Sequence, residues 1–201
     1  KYIINKSETI VRGGKEDNSH RSVAYSTKKP NLWTTEIVEG NISVQYNPGK
    51  NSLVDGIFGF EDYHKGEWLG IQGQNLIINL NPNKRIKKNF SIELEFSLLK
   101  DIRAWIALPK EIQIWYVSKN GNKWLAQKKV FENVLNQEPT YKKKWTALLR
   151  NEKNGTSHYR KKNKVAYIEV HFLNAGKLEE WHPGYGGSSY IFIDEISISK
   201  K

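Results

Sequence analysis

Three loops of this chain set a flat aromatic ring beside a planar or charged polar group. Arg103 lies close to Trp105, Trp181 adjoins His182, and Tyr63 adjoins His64. An indole or phenol face packs against the C–H face of a pyranose ring, while guanidinium and imidazole nitrogens hold sugar hydroxyls. Each tryptophan also has a plainer reading. Trp68, Trp105 and Trp181 can plug the end of a core, since large aromatics are mostly buried, with Arg103 paired to Glu61 or Asp62. Trp33, Trp115, Trp124 and Trp145 read as structural or surface residues.

Catalytic chemistry finds little to work with. There is no Cys, so thiolate nucleophiles, thiolate zinc sites and disulfides are excluded. The five His cannot be assembled with an acid and a nucleophile into an oriented set. Glu179-Glu180 and Glu61-Asp62 could supply the two carboxylates of a glycosidase, but acidic pairs in polar loops are common. No G-x-S-x-G, H-E-x-x-H or Walker pattern occurs. No catalytic residue is assigned.

The elements that must position these loops are strands. Ile92, Leu94 and Phe96 alternate with polar neighbours, as do Ile112, Ile114 and Tyr116, then Ile168, Val170 and Phe172. Leu76, Ile78 and Leu80 form another such run, ending at the turn signal Asn81-Pro82-Asn83. Ile191 and Ile193 continue to Ile196 and Ile198 with a change of phase at Asp194-Glu195, which predicts a bulge. Lys119-Asn120-Gly121-Asn122 predicts a tight hairpin. No segment keeps a 3.6-residue apolar period, so the fold class is all-β, a sandwich or jelly roll. In residues 1–40, short strands are expected at Tyr2-Ile3-Ile4, Thr9-Ile10-Val11 and Ser22-Val23-Ala24-Tyr25. That region reads as an edge hairpin of the sandwich, a linker, or the tail of a preceding β-domain.

The 201 residues suit one domain, or one domain plus a fragment of another, and 7 Trp, 10 Tyr and 7 Phe offset an apolar content of 38%. The net charge of +11 invites an anionic partner. Yet the lysines are scattered, with short clusters at Lys84–Lys88, Lys142–Lys144 and Arg160–Lys164, and a solvated surface explains them more simply. No apolar run approaches the ~20 residues that span a bilayer, and no leader opens the chain. The absence of Met implies a processed or excised product.

Seven pieces in order carry a resemblance: Leu53–Gly56, Gly66–Gly70, Asn75–Leu80, Trp105–Pro109, Val117–Gly121, Trp181–Gly187 and Phe192–Ile196. Together they resemble the discoidin-like, galactose-binding-like domain of coagulation factor type C. The copy at the C-terminus of bacterial β-N-acetylhexosaminidases is the most similar, over roughly residues 41–199. Residues 1–30 faintly resemble the fibronectin-like domain that precedes it there. The resemblance implies a galactose-binding-like jelly-roll sandwich over 41–201, with a remnant or N-terminal strands over 1–40. It also implies a glycan site in the loops at one end, at Arg103, Trp105, Trp181, His182, Tyr63 and His64. It implies a structural Ca²⁺ at Asp55, the carbonyls of Ser52 and Ile57, and Asp194 and Glu195, where carboxylates and bent-loop carbonyls suit the ion. The alternative there is that Asp55 caps its own turn and Glu195 faces solvent. The implied role is a non-catalytic, carbohydrate-binding accessory module of a secreted, periplasmic or cell-surface glycoside hydrolase. Its partners would be a glycan and the parent's catalytic domain, with no nucleic acid and no membrane span. The alternatives are a purely structural domain or a basic adhesion module for anionic polysaccharide.

Overall fold

The computed structural model describes residues 33–86, 90–132, 134–137, 139–150 and 164–201. The expected strands of residues 1–30, and the cluster from Arg160 up to Asn163, lie outside the described residues.

Nine strands follow in chain order: β1 (Trp33–Glu39), β2 (Leu69–Gln72), β3 (Leu76–Pro82), β4 (Ser91–Lys100), β5 (Glu111–Ser118), β6 (Lys123–Val130), β7 (Tyr141–Arg150), β8 (Val165–Leu173) and β9 (Tyr190–Lys200). They form a five-stranded sheet, β1-β3-β8-β5-β6, and a four-stranded sheet, β2-β9-β4-β7, with every ladder antiparallel. Without β1, the remaining eight strands interleave as two four-stranded Greek-key sheets. That strand order is the jelly roll. β1 is added at the edge of the five-stranded sheet, paired with β3 from Trp33 opposite Pro82 to Glu39 opposite Ile77.

The alternation read from sequence is the alternation seen. Leu76, Ile78 and Leu80 on β3, Ile168, Val170 and Phe172 on β8, and Ile112, Ile114 and Tyr116 on β5 line the inner face of the five-stranded sheet. Ile92, Leu94 and Phe96 on β4, with Ile191, Ile193 and Ile196 on β9, close the core from the other sheet. Each such side chain contributes about 1.5–3 kcal/mol by leaving water. The β5–β6 hairpin turns at Gly121, and the amide of Ser118 donates to the carbonyl of Asn122 at 3.0 Å.

Two findings bear on the site. Phe96 pairs with Ile196 and Leu98 with Ile193, so Ser97 alone opposes Asp194 and Glu195. The bulge expected from the phase change is therefore present, and it places two successive acids in one break of the ladder. The second finding is that Trp33–Glu39 forms the edge strand of the five-stranded sheet, beside β3.

Candidate functional site

The loop end of the sandwich is built by the β4–β5 and β8–β9 connections and by the long passage from Asn51 to Trp68. After β4, Asp101 and Ile106 exchange backbone hydrogen bonds at 2.9–3.0 Å and close a turn over Ile102–Ala104. Trp105 ends that turn at φ 66°, a strained position for a bulky residue. Its N–H donates to Ile102 at 2.9 Å, and its carbonyl accepts from Tyr190 at 2.7 Å, which hold it there.

The second loop, from Leu178 to Gly187, is closed at its base by the Leu178 amide donating to Gly187 at 2.8 Å. His182 organises it from inside. Its Nδ1 accepts from the Gly184 amide at 2.9 Å, so the hydrogen sits on Nε2 and is donated to the Ile102 carbonyl at 2.7 Å. With both ring nitrogens engaged and only 3% of its surface exposed, His182 positions the loop and offers no nitrogen to a ligand. This corrects the sequence expectation. Trp105 is corrected in part: half-buried, it wedges against Gly184 and Gly187, and a Cβ on Gly184 would lie 2.4 Å from the indole. Only glycine allows that approach.

What this frame presents outward is different. Trp181 is 38% exposed and Tyr185 64% exposed, on the loop that the buried imidazole braces. The indole N–H of Trp181 donates to Glu179 at 3.0 Å, which fixes the ring plane. Arg103 is exposed on the turn that His182 grips. Sequence reasoning missed Tyr185, although its signal was legible: a tyrosine between Gly184 and Gly186-Gly187 has few neighbours to bury it.

Tyr63 and His64 belong to a neighbouring cluster at the same end. Tyr63 packs on Tyr46 and Phe192 at ring separations of 5.9 and 5.6 Å, and Tyr46 on Tyr190 at 5.8 Å. Ala104 packs against this group, which joins it to the Arg103 turn. Burial pushes the phenols of Tyr46 and Tyr63 above their ordinary range. His64 is exposed, and its Nδ1 lies 3.1 Å from Asp62. Burial works to raise the Asp62 carboxyl, but the bonds and charge of His64 outweigh it and hold the group below its usual value.

The expected cation residues meet beneath a strap, residues 55–60, that crosses the bulge. Asp55 accepts from the Ile57 amide at 2.9 Å, the capped turn weighed as an alternative. Glu195 does not face solvent, as the other half of that alternative held. It is 1% exposed and accepts from the Gly56 amide at 3.1 Å, while Asp194, wholly buried, accepts from Gly59 at 2.7 Å. Lys142 donates to the Gly59 carbonyl and lies over the Trp68 ring, whose N–H donates to Phe60 at 2.8 Å.

Three buried oxygens here have no hydrogen-bond partner: Ser52 Oγ, Asp194 Oδ1 and Glu195 Oε1. Burial pushes Asp194 up to about 7 and Glu195 up to about 8, with Asp55 adding repulsion to both. Among the described residues no three acidic or imidazole side chains already converge as a cage. Were an ion held here, the side-chain oxygens facing it would be two carboxylates and the Ser52 hydroxyl, with backbone carbonyls such as those of Ser52 and Ile57 to complete the set. Oxygen-only ligands of this kind fit Ca²⁺ and not softer metals. A buried acid without a partner either keeps its proton or needs a compensating charge.

No family model matches the chain, and no curated protein matches it. Solved structures similar to it include a family 32 carbohydrate-binding module from a family 31 glycoside hydrolase of Clostridium perfringens. That pair is 12% identical, with a TM-score of 0.44, over 85% of this chain and 92% of that one. A family 29 carbohydrate-binding module is 11% identical, with a TM-score of 0.40, over 89% of this chain and 86% of that one. The C-terminal domain of a chitobiase from Bacteroides fragilis is 14% identical, with a TM-score of 0.39, over 86% and 95%. Likenesses this distant say nothing of ligand or chemistry. The fold stands on the strand order alone, and it is the jelly-roll sandwich that the discoidin-like resemblance implies.

Proposed function

We propose that this chain is a non-catalytic carbohydrate-binding module, an accessory domain of a secreted, periplasmic or cell-surface glycoside hydrolase of the β-N-acetylhexosaminidase type. The observation that carries the reading is the exposed pair Trp181 and Tyr185 on a loop fixed from within by His182. Exposed aromatics on a pre-organised loop present a flat face at little entropic cost. Glu179 beside Trp181, and Arg103 exposed on the turn that His182 grips, offer acceptors and donors for sugar hydroxyls. A site this shallow binds one sugar weakly, with Kd of ~1 mM or about −4 kcal/mol, and gains from a repeating substrate.

Ca²⁺ belongs to the same proposal as a structural ion held by Asp194, Glu195, Ser52 and strap carbonyls. When bound, it supplies positive charge that neutralises the buried acids and ties the strap to β9. The anionic-polysaccharide alternative is weakened by how two clustered lysines are used. Lys142 is engaged with Gly59 and Lys144 with Glu95 at 2.9 Å. No helix of the described residues is long and apolar enough to cross a membrane.

A glycan array followed by titration tests the reading. The wild type is expected to retain β-linked amino sugar or galactose ligands with little change between about 0.1 and 1 M salt, where charge–charge binding is screened. Trp181→Ala and Tyr185→Ala are each expected to weaken binding at least about tenfold, roughly 1.4 kcal/mol, with circular dichroism unchanged. Absence of binding to any glycan would overturn it. Retention by heparin alone, lost with salt, would favour the adhesion alternative.

A further inference from the structure

The outer face of the five-stranded sheet carries a cluster that the loop site does not use. Register places Asn79, Glu169, Trp115 and Leu125 in one row across β3, β8, β5 and β6, with His171 and Gln113 in the row beside it. The solvent side of a sandwich sheet needs only dispersed polar residues. Here Glu169 is 2% exposed although it points away from the core. Both its oxygens accept from Lys123 at 2.7 Å, and His171 Nε2 lies 2.6 Å from one of them. The Trp115 ring leans on His171 at 6.0 Å, and its N–H donates to Gln113 at 3.1 Å.

Burial raises the Glu169 carboxyl, but the bonds from Lys123 and His171 outweigh it and hold the group below its usual value. A desolvated acid on an open face is worth little as a source of stability. It does fix the rotamers of the lysine, the imidazole and the indole around it, which is what a preorganised binding surface needs. Asn79 extends the row: its amide nitrogen reaches Glu36 at 3.4 Å while its Oδ1 has no partner.

We propose that this face is a second glycan site, separate from the loop end, which takes a neutral polysaccharide chain lying across the strands. Charge argues for a neutral occupant. Although the chain carries +11 overall, Glu36, Glu111 and Glu169 on this face stand beside Lys123 and Lys128, with Lys128 3.9 Å from Glu111. A balanced, hydrogen-bonding surface does not select an anion, and the indole supplies the stacking face that a pyranose requires. At about 4.8 Å between strands, the row from β3 to β6 spans roughly 14 Å. That is room for several sugar rings rather than one.

Affinity electrophoresis in gels containing galactomannan, xyloglucan or hydroxyethylcellulose tests the proposal, with heparin as the anionic control. The wild type is expected to be retarded by at least one of the three neutral polymers, insensitively to salt. Trp115→Ala is expected to lose that retardation by at least about fivefold, and Asn79→Ala to weaken it, with thermal unfolding of each variant monitored in parallel. Trp181→Ala is expected to keep it, which separates this site from the loop site. Equal retardation of wild type and both sheet variants would overturn the proposal, as would retardation by heparin only or by none of the four polymers.

Discussion

With a chelator present, the folded protein is expected to lose stability as pH rises from about 4 to about 8. Asp194 and Glu195 ionise near 7 and 8 in the folded chain against ordinary values of 3.8 and 4.5. Within that window the folded state therefore holds up to two protons that the unfolded chain has released. Stability must fall as pH rises through it, and flatten above about pH 8, where both states are ionised. Each pKa unit corresponds to about 1.4 kcal/mol, so each acid carries a loss on the order of 4 kcal/mol. Glu169 and Asp62, both held low, act in the opposite sense, and only as pH falls below their ordinary values of 4.5 and 3.8. Urea midpoints between pH 4.5 and 8.5 read the slope directly.

Calcium is expected to reverse most of that loss. The ion binds ionised carboxylates, so it competes with the protons and acts more strongly at pH 8 than at pH 5. Calcium at about 100 times its Kd stabilises the fold by roughly 2.7 kcal/mol. Asp194→Asn with Glu195→Gln is expected to abolish both the pH slope and the calcium response. Coincident curves in calcium and chelator at pH 8 would remove the cation from the proposal. A flat pH profile in chelator would remove the buried acids as its cause.

The fold was legible because β-patterning is local. Ile112, Ile114 and Tyr116 declare an inward face within a few residues, and the lost phase at Asp194-Glu195 declares the bulge. The chemistry was legible only where a loop's composition forces exposure. His182 misled because an imidazole beside Trp181 looks like a ligand group, whereas its Nε2–H is taken by the carbonyl of Ile102, far away in sequence. Trp115 reads as an unremarkable surface residue until the β5–β8 register sets it opposite Glu169. Neither fact is encoded in spacing, since both depend on which strands become neighbours.

Trp68→Ala is expected to be the most damaging single substitution, because this indole joins the strap over Asp194 to the aromatic loop end. It is buried, it donates to the Phe60 carbonyl at 2.8 Å, and a Cβ on Gly59 would lie 2.8 Å from its nitrogen. It also stacks on Phe192 at 6.5 Å and 26°, and Phe192 in turn supports Tyr46, Tyr63 and Tyr190. Truncating such a residue costs about 3–5 kcal/mol, which for a domain of this size lowers Tm by roughly 6–20 °C. Beyond that loss, the calcium-induced rise in Tm should shrink, because a strap released from Trp68 no longer presents its carbonyls over Asp194. A double-mutant cycle of Trp68→Ala with Asp194→Asn should show coupling of about 0.5–3 kcal/mol. Trp68→Phe guards against outright unfolding. It keeps most of the apolar burial and deletes the donor to Phe60, so a loss of about 1–3 kcal/mol with a weakened calcium response is expected. Additive losses in the cycle, with a full calcium response in Trp68→Phe, would show that strap and indole are independent neighbours.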